Sequence, residues 1–183
     1  RTEAVRTYDT SFSATEQQWM KRYTGSGYRA INKKALKGQF TTELDGGIEK
    51  LPLYDGYVGR GIAQITDIEK KFAKWKSGEW SYVEWKAYSS TTITPNKQFN
   101  SVDGYMAIIR TTGKNKAGYI NGRSSVPSED EYLFAPGAKF RVAGWAESPN
   151  KRYRTLLLEE VEGDIPKSQA APKKMNYEEV MDL

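Results

Sequence analysis

The sequence predicts an α+β domain, and three observations carry that prediction. Helix-period segments dominate the first part of the chain and strand-period segments the second, rather than alternating as βαβ units do. Gly, Pro and Asn turns separate the strand candidates. The length of 183 residues fits one domain of ordinary size with room for a tail.

Residues 13–37 read as helical. Ser13 or Thr15 can cap, and Trp19, Met20, Tyr23, Tyr28, Ile31 and Leu36 recur at loosely helical spacing. Gly25-Ser26-Gly27 interrupts the run, which predicts two short helices with a break. Residues 41–51 form a third helix candidate, weakened by Gly46-Gly47. Tyr57, Val58 and Ile62, set among glycines, predict a strand over 56–62. Ile68, Phe72 and Trp75, spaced four and three apart, predict a helix over 65–75. Beyond Gly78 the pattern changes: 80–87 alternates apolar and polar residues, and 88–94 is rich in hydroxyls. Further strand candidates span 105–112, 132–134, 139–145 and 154–161. From about Gly163, DIPKSQAAPKKMNYEEVMDL loses strand character and reads as a linker with a short acidic amphipathic end. The expected organisation is therefore a domain over 1–162 and a linker or tail over 163–183.

Composition narrows the chemistry. A hydrophobic share of 38% and an aromatic share of 13% supply a sizeable core, while the mean hydropathy of -0.74 leaves the surface wet. No run approaches the roughly 18 apolar residues that a membrane span needs. No signal peptide is visible, and the opening RTEAVRTYD lacks an initiator Met, as expected of an excised domain or a processed product. With neither His nor Cys, the chain excludes Ser-His-Asp and Cys-His triads, thiol nucleophiles, disulfides and zinc sites built on imidazole or thiolate. Catalysis must rest on carboxylates, hydroxyls, Lys, Arg, Tyr and backbone amides, and no metal is expected. The lack of Cys also suits passage between redox compartments. The net charge of +5 and pI near 9.2 fit a solvated surface, or a basic patch for nucleic acid or an anionic partner.

Three local features bear on a site. Arg60, in GYVGRGI, sits on a strand beside small residues, where its planar fork suits a diphosphate; a surface Arg on an edge strand is the blander reading. The glycines around it do not make a dinucleotide fingerprint. Tyr88-Ser89-Ser90-Thr91-Thr92 ends an aromatic-rich strand, and its hydroxyls can hold a carboxylate in one rotamer; Thr-rich strands are also common for their own sake. Glu129-Asp130-Glu131 leads into YLFAPGAKFRV. In an extended segment Glu129 and Glu131 would share a face about 6.6 Å apart, one against a developing cation and the other against an incoming nucleophile. An acidic turn after the loop GYINGRSSVPS is the alternative.

The order of these features resembles the Arg-Ser-Glu class of mono-ADP-ribosyltransferases, a family of toxins and effectors. It runs strand-Arg, aromatic-x-Ser-Thr-Ser/Thr, then Glu-x-Glu before an apolar strand and a turn with Lys-Phe. The stretch YTGSGYRAINKKALKG is similar to that family's first helices, so the likeness covers about 13–162. Two departures are mild: Tyr88 stands where Phe is frequent, and Thr92 where Ser is. A third is that Val58-Gly59 precedes Arg60 where an aromatic is common.

The resemblance implies N-terminal helices packed on a mainly antiparallel split β-sheet, and NAD as the substrate whose nicotinamide–ribose bond breaks. It implies that Arg60 binds an NAD phosphate, that Ser90 orients Glu131, and that Glu131 stabilises the oxocarbenium ion. It further implies that Glu129 handles the acceptor and that Thr91 and Thr92 buttress the strand, Thr91 beside the cosubstrate. Tyr105 or Tyr119 would stack on nicotinamide. Glu at 129 implies an arginine acceptor on a target protein. A toxin or effector role follows, with secretion or delivery into a target cell's cytoplasm and an immunity protein as a further partner. Alternatives are an NAD glycohydrolase with water as acceptor, a nucleic-acid-directed transferase, and a non-enzymatic basic binding module.

Overall fold

The computed structural model describes residues 5–6, 12–93, 104–120, 130–163 and 171–183. In chain order its elements are β1 (Val5–Arg6), α1 (Ala14–Arg22), α2 (Tyr28–Ala35), α3 (Thr42–Lys50), β2 (Leu53–Tyr54), β3 (Tyr57–Gly61) and α4 (Ile68–Ser77). There follow β4 (Tyr82–Trp85), β5 (Ser89–Thr92), β6 (Gly104–Arg110), β7 (Ala117–Tyr119), β8 (Glu131–Phe134), β9 (Ala138–Glu147), β10 (Tyr153–Glu160), β11 (Lys173–Lys174) and α5 (Tyr177–Met181). The fold is α+β with mostly antiparallel pairing, as expected. The chain divides into two compact units, each built from three separate stretches.

The first unit comprises Arg1–Gly56, Glu84–Ile93 and Thr112–Ala138. Ser13 caps α1 in a full capping box: its hydroxyl accepts from the Glu16 amide, and the Glu16 carboxylate accepts from the Ser13 amide. Lys50, from the end of α3, donates to the same carboxylate at 2.7 Å and joins the two helices. Between α1 and α2, Tyr23–Gly27 forms a π-type turn in which Gly25 leaves helical geometry, the break that the glycines predict. Met20, Ile31, Leu44, Ile48 and Leu51 from the helices pack with Tyr88, Ile120 and Leu133 from the strands into one apolar core. The strands run β5-β8-β7, all antiparallel, and β1 pairs β2. Strand β7 overlaps the start of what the sequence reads as a loop. Gly118 permits it, because a Cβ there would come within 2.2 Å of Leu51 Cβ and 3.1 Å of the Ile48 carbonyl.

The second unit comprises Tyr57–Val83, Thr94–Thr111 and Lys139–Leu183. Its strands run β11-β9-β10-β6-β3; β10 lies parallel to β6 and β11 parallel to β9, while β9–β10 and β3–β6 are antiparallel. Strand β9 alternates buried and half-buried residues along its whole length, as a strand with one face on a core does. Helix α4 begins later than the sequence predicts because Asp67 takes a left-handed conformation, and it ends on Gly78, likewise left-handed. Phe72 packs edge-on against Tyr105. From Ala171 to Leu183 the described residues add two further elements. Strand β11 pairs with Gly144 and Trp145 of β9, and α5, capped by Asn176, buries Val180 against Met106, Ile108 and Ala146.

Two stability predictions arise here. Gly118→Ala must push the strand away from Leu51 and should cost about 1–3 kcal/mol, read by urea unfolding. The Lys50 and Ser13 hydrogen bonds hold the Glu16 carboxyl below its ordinary value, so its contribution is present near neutral pH and fades as pH falls through the depressed value. Glu16→Gln should therefore be less stable than the parent at pH 7, with the gap closing in strong acid.

Candidate active site

Strands β5 and β8 form because their residues suit a sheet: three of the four in β5 are buried and all four in β8. Their antiparallel register sets Thr92 opposite Glu131 and Ser90 opposite Leu133. Residues directly opposite share a face, so Ser90, Thr92, Glu131 and Leu133 point the same way. Leu133 enters the helix-side core, and Glu131 stands two residues earlier on that face, only 3% exposed. A carboxylate so withdrawn from water must be hydrogen-bonded. Ser90 lies diagonally across, and its hydroxyl donates to Glu131 Oε2 at 2.6 Å, the length of a charge-assisted bond. The backbone on either side is held as well: the Ile120 amide donates to the Glu131 carbonyl and the Ile93 amide to the Asp130 carbonyl, each at 3.0 Å.

The strand that carries Ser90 is anchored from the helices. Asn32 Nδ2 donates to the Tyr23 hydroxyl at 3.3 Å, and that hydroxyl donates to the Tyr88 carbonyl at 3.1 Å. The Tyr88 side chain is fully buried; its hydroxyl donates to the Asp45 carboxylate and accepts from the Thr41 amide at the start of α3. Burial, and then the Asp45 carboxylate, push this phenol far above its ordinary pKa, so it remains a neutral donor. On the opposite face of β8, Tyr132 and Phe134 pack edge-on with each other and with Tyr54 and Trp85 respectively. Apolar contacts on both sides therefore fix the strand under Glu131.

No family model matches the chain. It is 29% identical over 146 residues to a protein of Mycobacterium avium (strain 104) named as a candidate NAD(+)–arginine ADP-ribosyltransferase, Mav; the match takes in 74% of this chain and 16% of that protein. Among solved structures it is similar to C3stau2 from S. aureus, determined with NAD, at TM-score 0.65 and 16% identity over 84% of this chain and 89% of that one. It is equally similar to the ADP-ribosyltransferase Vis of Vibrio splendidus in complex with agmatine, at TM-score 0.65 and 22% identity over 93% and 83%. The chain has the ADP-ribosyltransferase fold.

Within that fold the residues singled out from the sequence fall as follows. Ser90 and Glu131 meet in the first unit. Thr91 faces away from them, with its hydroxyl donating to the Tyr132 carbonyl at 2.7 Å, so it ties the two strands together and does not join Ser90 on its face. Thr92 is buried opposite Glu131. Glu129 lies outside the described residues. Asp130 has φ 49°, in the left-handed region, and so is not itself extended. The local chemistry that allows this is Asp's tolerance of left-handed backbone. Tyr119 donates its hydroxyl to Asp130 at 3.3 Å. In the second unit, Tyr105 packs between Phe72 and the Arg154 guanidinium, 4.9 Å from its ring. Arg60 is half-buried on β3, opposite Ala107 and flanked by Gly59 and Gly61, the small surroundings that its sequence context promises. Sequence reasoning missed the Asn32–Tyr23–Tyr88 chain, since partners 9 and 65 residues apart leave no spacing signal.

Replacing Tyr88 by Phe removes the donor to Asp45 and the acceptor for Thr41 at once. The loss should be about 1–3 kcal/mol, seen as a fall of several degrees in the thermal midpoint.

Proposed function

We propose that this domain is an NAD-dependent mono-ADP-ribosyltransferase that releases nicotinamide and passes ADP-ribose to an arginine side chain of a target protein. The observation that carries the proposal is the buried Glu131 carboxylate held by Ser90. A fixed negative charge shielded from water is what a ribosyl oxocarbenium ion requires as the nicotinamide bond lengthens, and the ribose of ground-state NAD lacks the positive charge that this carboxylate stabilises. Glu131 then stabilises the cationic sugar and holds its 2′-hydroxyl, while Ser90 keeps the carboxylate in one rotamer. Arg60 is assigned an NAD phosphate on the chemistry of its guanidinium. Glu129 is assigned the acceptor, orienting or deprotonating the incoming guanidine. Thr91 is assigned a buttressing role alone.

Three things support the arginine acceptor: the Glu-x-Glu sequence, the name of the Mycobacterium avium relative and the agmatine bound to Vis, since agmatine is arginine without its carboxylate. The chain spans only 16% of that relative's length, so what the rest of a longer protein does lies beyond this assignment. Action as a toxin or effector, delivered into the cytoplasm of a target cell and countered by an immunity protein, completes the reading.

Labelled NAD with a cell lysate tests it. The parent chain should label protein at arginine, identified by mass spectrometry. Glu131→Ala should lose nicotinamide release and transfer together, by a factor of about 100 to 1000; an active Glu131→Ala variant would end the proposal. Glu129→Ala should keep slow NAD hydrolysis and lose transfer, and an equal loss of both would remove its acceptor role.

A further inference from the structure

Between Gln17 and Thr42 the sequence contains six cations, Lys21, Arg22, Arg29, Lys33, Lys34 and Lys37, and no Asp or Glu. Their sum exceeds the +5 of the whole chain, so the rest of the molecule is close to neutral. All six are exposed, on α1, α2 and the turn after α2. Arg22 and Arg29 lie against the rings of Trp19 and Tyr28, contacts that orient the guanidinium without cancelling its charge.

The turn after α2 adds a second, independent feature. Gly38, with φ 78°, donates to the Ala35 carbonyl, and Gln39 donates to the Lys34 carbonyl, the paired bonds of a Schellman motif. Such a turn is usually sealed by an apolar contact between the residues at the Lys34 and Gln39 positions. Both are polar here, so the motif makes no use of the neighbouring apolar side chains. Leu36 and Phe40 are left 65% and 55% exposed, and Tyr28 is 42% exposed on the same helix–turn segment. Two projecting apolar groups on a hydrogen-bonded turn, among lysines, hold apolar surface in water that a partner surface would cover.

We infer that this face seats on an anionic phospholipid bilayer, with the cations against the headgroups and Leu36 and Phe40 entering the interface. Charge spread over two helices suits a plane of headgroups, and apolar tips add the burial that charge alone lacks. A nucleic acid is a poorer match, because Leu36, the most exposed of the large apolar side chains among the described residues, offers neither a stacking face nor a hydrogen bond. The inference does not rest on the reaction proposed above. It suits a protein delivered into a cytoplasm, where the facing leaflet is the anionic one.

Co-sedimentation of the full chain with phosphatidylcholine vesicles, with and without phosphatidylserine, tests the inference. Binding should require phosphatidylserine and weaken by about tenfold or more between low and high salt. Lys33→Glu with Lys34→Glu, and separately Leu36→Ser with Phe40→Ser, should each weaken it by about tenfold or more. Neither pair should move the thermal midpoint, which distinguishes lost docking from lost folding. Failure to bind, equal binding to vesicles without phosphatidylserine, or parent-like binding by both double variants overturns the inference. So does binding of a single-stranded oligonucleotide by a chain that ignores the vesicles.

Discussion

The first unit is organised around one electrostatic necessity: a carboxylate taken out of water has to be given a donor. Glu131 is almost wholly enclosed, and the donor is a hydroxyl two residues along the neighbouring strand. That geometry exists only in one register of β5 on β8. A slip of one residue would turn Ser90 and Glu131 to opposite faces and expel Leu133 from the core with them. The apolar packing thus selects the register, and the register places the polar pair. Removing the partner of a charge in this setting is far more damaging than the modest net worth of an ordinary hydrogen bond.

The helices secure this arrangement from a distance. Tyr88 adjoins the hydroxyl run, fills the space beneath the helices, receives a hydrogen bond from Tyr23 on its carbonyl and gives one to Asp45 from its ring. A single residue therefore ties strand β5 to both the α1–α2 junction and the start of α3. The Tyr88 hydroxyl matters here because it has two partners, the Asp45 carboxylate and the Thr41 amide, that a phenyl ring could not serve.

Much of this was legible in the residues. The break at Gly25–Gly27, the cap at Ser13, the strand over 139–145 and the pairing of Ser90 with Glu131 all follow from local chemistry or from ordered motifs. What was not legible depended on contacts between distant segments. Strand β7 exists because Gly118 lets the backbone approach Leu51, and GYINGRS taken alone looks like a loop. Asp130 takes a left-handed φ where the strand reading of that stretch expects extended backbone. Helix α4 starts late for the same kind of reason, at Asp67. In each case a single backbone angle or a missing Cβ overrides the residue pattern around it.

Consider finally the strand pair β9–β11 and the glycine between them. A Cβ on Gly144 would lie 2.6 Å from the Met175 sulfur and 3.2 Å from the Lys173 carbonyl, so the returning chain lies directly on the β9 backbone. The Val142 amide is already taken by the Ser81 carbonyl, and Met175 donates to Trp145 at 2.8 Å. The outer border of β9 is thereby closed along its middle. Trimming the last twenty or so residues as a dispensable linker would reopen that border and uncover Met106, Ile108 and Ala146. Such a border recruits foreign strands, so solubility during purification, more than any loss of chemistry, would be the first casualty of a shortened chain.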